Sequence, residues 1–600
     1  MSTAPMSASG PQARVAVPPP RPPSGGVRLS RTAQIVTGLA LIVPAAVALL
    51  WSYVIPSIST IVDSFGPVRL VPNRRGQTSE GGLENYREIV ASGFLGDLAY
   101  VLLLALIPVL LALIVAPALA LAAERAGRVP RLVTRALLAV PLAAYAPLAV
   151  GTARTMEQAG TGPGKTSAIS TVALLPAGLV IAIGATVFLA VWCRRPHGRS
   201  LPAALAAGGV LALTVVAVTM QSWSLQWPVV AQRGQNRTPL LDVYQQTFVL
   251  AQTGVGAAGS AVLLVLLGTL GLLAVALLLL TRTRIAFTGW RDRPAEPTPA
   301  VRSRVALGLL VVGLLAFLGV LAYVLTPWLR LLTADVTALP RGVTAGQIQI
   351  NTWLPPLIST VIGVGLAALA GFAIGGLRPL GRASELLLLP FAPWLFVGVG
   401  PLAGAHYLRA RDAEQLNTFA ALIPPSWLSI PALVVFTLFF RGQRERWEGS
   451  GRFISTMLLP ALPMVAGAGL LTWLVAAQDW LWPRLVVAQN GLWPAPNFLL
   501  YRLRGRFDAE GTAQGDLAQI LPLPMLLFFL LAFLALQLLY LDRLVILAGR
   551  QEAKPHAGAG PTGAAATGAA ATGAMPAGVA ASALPQTDQN DVTERDPRQS

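Results

Sequence analysis

Twelve runs of apolar residues, each long enough to cross a bilayer, dominate the chain between residues 34 and 541. They fall at 34–56, 92–123, 133–153, 168–192, 201–221, 253–281, 303–326, 350–377, 384–405, 416–440, 454–477 and 519–541. A helix needs about 20 residues to span the hydrocarbon core, and each run reaches that length. Leu, Ala, Val and Gly fill the runs without period-two alternation, which argues against a membrane β-barrel. The expected fold is therefore an all-α integral membrane protein with twelve transmembrane helices, the lipid bilayer being its solvent. Composition agrees: hydrophobic residues make up 54% of the chain and charged ones only 12%, about half the usual quarter of a soluble domain.

The charge that remains is lopsided. The net charge is +18 over 600 residues, and the only lysines are Lys165 and Lys554. In a soluble protein that excess would suggest nucleic acid. Here the arginines sit in short loops between apolar runs, where they orient the chain, so no nucleic-acid partner is expected. With the N-terminus inside, the inner segments hold 28 Lys+Arg and the outer loops 16. That imbalance places both termini in the cytoplasm and the protein in the cell membrane. One cysteine, Cys193, excludes an intrachain disulfide. Three separated histidines, His197, His406 and His556, offer no metal-ligand spacing. No metal or cofactor is expected.

Residues 1–30, rich in Pro and Gly, and the Ala/Gly-rich segment 549–600 read as disordered tails. Between them the chain repeats itself. Leu138-Ala139-Val140-Pro141 matches Leu387-Leu388-Leu389-Pro390 at an offset of 249. Trp227-Pro228 with Val229-Val230-Ala231-Gln232 matches Trp482-Pro483 with Val486-Val487-Ala488-Gln489, the prolines being 255 apart. Two homologous halves are expected at 31–290 and 303–548, joined by a cytoplasmic linker at 291–302. Six helices per half is an even number, which makes them parallel repeats about an axis along the membrane normal.

Chemistry is sparse. A proton- or sodium-coupled carrier needs a buried carboxylate. The runs hold only Asp97 and Glu385, each near a predicted helix end. The stretch Ala159-Gly160-Thr161-Gly162-Pro163-Gly164-Lys165-Thr166 fits a relaxed nucleotide-loop pattern. It follows an apolar helix on the expected outer side, so it reads as a flexible loop, and the chain is not expected to hydrolyse ATP.

Order and content of several short motifs resemble one family: the membrane subunits of binding-protein-dependent ABC importers, sugar-permease (maltose-type) branch. In the first half these are Asp63-Ser64-Phe65, Gly82-Leu83-Glu84-Asn85-Tyr86 and Gln226-Trp227-Pro228 followed by Tyr244. In the second they are Asn351-Thr352, Ala370-Gly371-Phe372-Ala373, Gly381-Arg382, Leu416-Asn417-Thr418, Ala421-Leu422-Ile423-Pro424 and Asp479-Trp480 with Trp482-Pro483. The resemblance covers roughly 31–548. It implies a type-I importer-like permease, with two subunits fused into one chain. It also implies ATPase subunits on the cytoplasmic side and an extracytoplasmic solute-binding protein, moving a sugar or similar polar solute.

The chain departs from that family at the cytoplasmic E-A-A…G loops, which dock the ATPase. The first-half loop is only Cys193–Ser200, too short for the docking helix. The second, Arg441–Arg452, lacks the Glu-Ala-Ala core and keeps Arg444, Glu445, Arg446, Trp447, Glu448 and Gly449. Its arginines serve either membrane anchoring or a residual ATPase contact. Gln221, Trp223, Gln226, Trp227, Gln478, Trp480 and Trp482 are the candidate solute path, because flat rings stack on pyranose faces and amides bond hydroxyls. An interfacial belt of tryptophans is the other reading. Two further functions stay open: a fold-retaining, uncoupled membrane scaffold, and a secondary carrier.

Overall fold

The structure is a computed structural model that describes residues 30–66, 81–145, 177–192, 201–222, 237–289, 303–331, 342–498 and 521–549. Among these, eight helices are long and apolar enough to cross a membrane. In chain order the helices are α1 (Arg31–Asp63), α2 (Glu84–Ala91), α3 (Phe94–Ala126), α4 (Arg128–Ala143), α5 (Ala177–Trp192), α6 (Leu201–Met220), α7 (Pro239–Tyr244) and α8 (Thr253–Leu280). After strand β1 (Arg284–Phe287) come α9 (Arg304–Leu331), α10 (Ala345–Leu377), α11 (Ala403–Asp412), α12 (Ile430–Ser450), α13 (Ile454–Ala477), α14 (Leu481–Val486), α15 (Leu523–Arg543) and strand β2 (Leu544–Leu547). The eight candidate spans are α1, α3, α6, α8, α9 (over Arg304–Tyr323), α10, α13 and α15. The protein is a helical, multi-pass membrane-embedded chain.

Proline shapes several spans without ending them. Widened five-residue turns lie at Leu50–Val54, Leu111–Val115 and Ile454–Leu458, directly ahead of Pro56, Pro117 and Pro460. A proline has no N–H to donate and its ring crowds the preceding turn, so the helix opens locally and then continues.

The expected helix at 384–405 does not form. That stretch is broken into 3₁₀ turns at Gly381–Leu388, Ala392–Trp394 and Gly400–Leu402. Pro390, Pro393 and Pro401 each withdraw a backbone donor within a dozen residues, more than an α-helix can absorb. Such backbone survives at membrane depth only where protein covers it. Leu388, Phe391, Ala392 and Leu402 are accordingly buried. Helix α8 comes so close that a Cβ at Gly271 would meet the Ala392 carbonyl at 2.2 Å. The run at 416–440 is also shorter as helix than expected, because α12 begins only at Ile430. It then continues through the stretch expected as a loop. Gly449 lies inside this helix, and Gly451, at φ 64°, ends it.

β1 and β2 pair antiparallel, Arg284 opposite Leu547 and Phe287 opposite Leu544. Backbone bonds from Thr288 N to Arg543 O (3.0 Å) and from Gly549 N to Thr281 O (2.9 Å) extend the pairing. Around it gather the segments that the arginine count assigns to one side. Ser303 N reaches Arg125 O, Arg543 reaches Gly289 O, and Arg446 reaches Phe287 O. The segments assigned to the other side meet one another as well. Asn85 bonds Ser64 O (2.9 Å), Ser92 bonds Asp242 (3.0 Å), and Gln252 bonds Glu88 (2.9 Å).

The linker 291–302, Cys193–Ser200, the glycine-rich Ala159–Thr166 and both tails, apart from Ser30 and Gly549, lie outside the described residues. So does the stretch between the runs begun by α4 and ended by α5.

Candidate solute path and coupling surface

Of the expected path residues, Trp223, Gln226 and Trp227 lie outside the described residues. The others fall into distinct settings. Gln221, just past α6, commits both ends of its amide to the broken pass. Its Nε2 donates to Phe396 O at 2.6 Å, and its Oε1 accepts from Gly398 N at 2.8 Å. A side chain so engaged positions backbone.

At the end of α13 the chain turns sharply through Gln478 and Asp479 into α14. The Asp479 carboxylate accepts from Leu481 N at 3.0 Å, a local bond that starts the short helix. Burial pushes this carboxyl up from its usual range, against the backbone donors of Leu481 and Trp482. Trp480 and Trp482 are each 3% exposed, so neither faces lipid as a belt residue would. They enter different parts of the core: Trp480 packs with the α8 and α12 side, Trp482 with the α5 and α15 side. Trp482 Nε1 donates to Ala421 O at 2.8 Å, and its ring meets His406 edge-on. Gln478 is buried, and among the described residues its Nε2 has no hydrogen-bond partner. Beside Asp479 a small cleft is lined by Asn351, Thr352, Pro424, Pro483 and Pro494. A second lies between α1, α8 and α11 and carries Thr60, Asp63, Thr253, Ser260 and Tyr407.

A hub not expected from sequence joins α11 to α1. Ahead of Pro56 the widened turn presents carbonyls that helix geometry leaves available. His406 bonds Ser52 O, and Arg409 donates to Trp51 O at 3.0 Å while its guanidinium lies 4.7 Å over the Trp51 ring. Tyr53 donates to Leu428 O at 3.0 Å, and Ser52 Oγ accepts from Trp427 N at 3.1 Å. Burial, then the Arg409 charge, lowers the His406 pKa to about 3, so the imidazole is neutral.

A second unexpected set is a buried ion network. Arg131 and Arg135 are fully enclosed. Arg131 pairs with Glu124 at 3.1 Å and Asp542 at 3.2 Å, and Arg135 with Asp542 at 3.2 Å. Arg135 also donates to Gln537 at 3.3 Å, whose amide donates to Thr186 at 2.8 Å. The network ties α4 and α5 to α15 and to the end of α3.

The expected coupling residues occupy the C-terminal turns of α12. Arg444 pairs with Glu448 at 2.5 Å and donates to Gly376 O at 3.2 Å, which pins the helix to the end of α10. Arg446 reaches β1, and Trp447 packs on Phe372 and Phe453. Glu445, Glu448 and Gly449 are exposed. Among the described residues no cluster of metal-ligating side chains occurs.

Comparison with models of protein families, with curated proteins and with solved structures finds no match to this chain.

Proposed function

We propose that this chain is the permease component of an ATP-driven importer for a sugar or similar polar solute. In this reading two permease halves are fused, ATPase subunits bind on the cytoplasmic side, and an extracytoplasmic protein delivers the solute. The observation that carries it is the register of β1 with β2. Ala286 faces Val545, 259 positions later. Strands that close two homologous halves would meet antiparallel in this way about a shared two-fold axis. The turns of α12 beyond Arg441, closed by Gly451 before α13, supply a projecting elbow where an ATPase could grip.

A photocrosslinker at Glu445 in native membranes tests this. Capture of an ATPase subunit, with solute-stimulated ATP hydrolysis in the purified complex, is the expected result. The uncoupled-scaffold reading has its own support, because Trp480 and Trp482 are enclosed and the Gln221 amide is engaged by backbone. It takes over if no ATPase is captured where its candidate partners are present.

A further inference from the structure

Four arginines converge where α8, the broken pass and α12 meet, and among the described residues Glu385 is the carboxylate that pairs with them. Glu385 pairs with Arg378 at 2.9 Å and with Arg441 at 3.4 Å. The turn and strand after α8 bring two more, Arg282 and Arg284. α12 crosses β1 so closely that a Cβ on Gly442 would lie 2.0 Å from Ile285 O, which sets Arg441 beside Arg284. Arg378, Arg284 and Arg282 all lie near enough to Arg441 to repel it. Among the described residues Arg441 thus feels three like charges and one opposite one, held together by backbone packing.

Like charges gathered at a half-buried site call for an anion. The surroundings say which kind. Leu280, the last residue of α8, is 82% exposed and stands two residues before Arg282. Leu386 and Leu389, flanking the broken pass next to Glu385, are exposed too. An apolar surface ending in a cationic shelf matches a molecule with acyl chains below and a phosphate above. Basic pockets of this kind between membrane helices hold anionic headgroups.

We propose that Arg282, Arg284, Arg378 and Arg441 form a binding site for the phosphate headgroup of an anionic phospholipid. The site is independent of the transport reading. Arg378 and Arg441 orient the phosphate from the protein side, sharing it with Glu385. Arg282 and Arg284 close over it from the water side. The bound lipid neutralises the repulsion that backbone packing otherwise imposes, and so joins α8 to the broken pass and α12.

The test measures binding of short-chain phosphatidylglycerol to the full chain in neutral detergent, by native mass spectrometry and thermal shift. Phosphatidylcholine and inorganic phosphate serve as controls. The expected result is preferential retention of phosphatidylglycerol. At about a fivefold factor per surface arginine, R282Q/R284Q weakens it on the order of 25-fold. Glu385→Gln, which removes the competing carboxylate, strengthens it. Unfolding in lipid-free detergent shows whether each variant is folded. Because the effects of the two variants are opposite in sign, general misfolding cannot produce both. Equal retention of phosphatidylcholine, or unchanged binding in R282Q/R284Q, overturns the proposal. So does stabilisation by inorganic phosphate equal to that by the lipid, which would make the ligand a soluble anion. Loss of a co-purifying protein in R282Q/R284Q with lipid binding intact also overturns it, and makes the cluster a protein-docking surface.

Discussion

His406 hydrogen-bonds the backbone carbonyl of Ser52, four residues before Pro56, where proline has no N–H to offer. A defect in one helix is thereby filled by a side chain 354 positions later in sequence. Replacing His406 by Ala leaves that carbonyl buried and unpaired, at a cost of about 1–3 kcal/mol. Adding Pro56→Ala should recover part of the loss, because the new N–H can serve the helix. Thermal unfolding of the two variants measures both effects, and equal stability of H406A with and without P56A would contradict this account.

The same histidine should make the protein acid-sensitive. Folded, it stays neutral down to about 3, while the unfolded chain takes a proton near 6.5. Between those values the unfolded state binds more protons, so stability is complete above 6.5 and falls as pH is lowered through the window. The slope is at most about 1.4 kcal/mol per pH unit. Unfolding measured from pH 7 to pH 4 should show it, and His406→Gln should flatten it.

Asp479 should behave in the opposite sense. Burial raises its carboxyl pKa above the ordinary 3.8, so the folded state holds the proton more tightly. Its ionised form is therefore a burden at neutral pH that eases as pH falls through the raised value. Asp479→Asn should gain stability relative to the native chain at pH 7 and lose that advantage near pH 4. A gain that is constant with pH would point to packing instead of charge.

Asp542 is the shared acid of two enclosed arginines. Asp542→Asn removes the carboxylate charge that Arg131 and Arg135 share. Removing one member of a buried ion set costs about 3–5 kcal/mol. Chemical denaturation in detergent should show a loss of that order. Arg87→Gln, which breaks an exposed pair with Glu84, should change stability by less than about 1 kcal/mol.

Gln221→Ala removes one partner each from Phe396 O and Gly398 N. The broken pass should loosen before the spans do. A cysteine at Val397, buried in the folded protein, should then react with a thiol reagent several-fold faster than in the parent, with helix content unchanged by circular dichroism. An unaltered labelling rate would show that the proline-rich turns hold themselves.

How far the sequence foretold this structure depends on whether the determinant was local. Apolar length is local, and it located the eight candidate spans. Charge bias is local too, and the segments it sorted together do meet in space. The run at 384–405 misled because hydropathy does not register missing donors: Pro390, Pro393 and Pro401 read as apolar while they dismantle a helix. Arg131 and Arg135 looked like loop cations at a membrane margin. Only Asp542, brought in by folding, shows them to be interior. Gln221 and Trp482 were singled out for chemistry that polar and aromatic groups can perform, yet the fold binds their polar atoms to backbone. No sequence pattern announced that His406 would serve a carbonyl of α1; Pro56 inside an apolar run was the available hint.

The pairing of β1 with β2 has a consequence for the chain's biogenesis. Phe287 leaves the ribosome long before Leu544, and the residues that join the strands, Thr288 and Arg543, are 255 positions apart. The chain up to β1 must therefore enter the membrane with a sheet edge exposed and wait for the last segment to be made. Contacts so distant in sequence form late, and a waiting edge is open to wrong partners. A ribosome that stalls before β2 would release a chain whose spans are inserted but whose β1 strand has no partner. Quality-control proteases could recognise such a chain by that single unpaired strand.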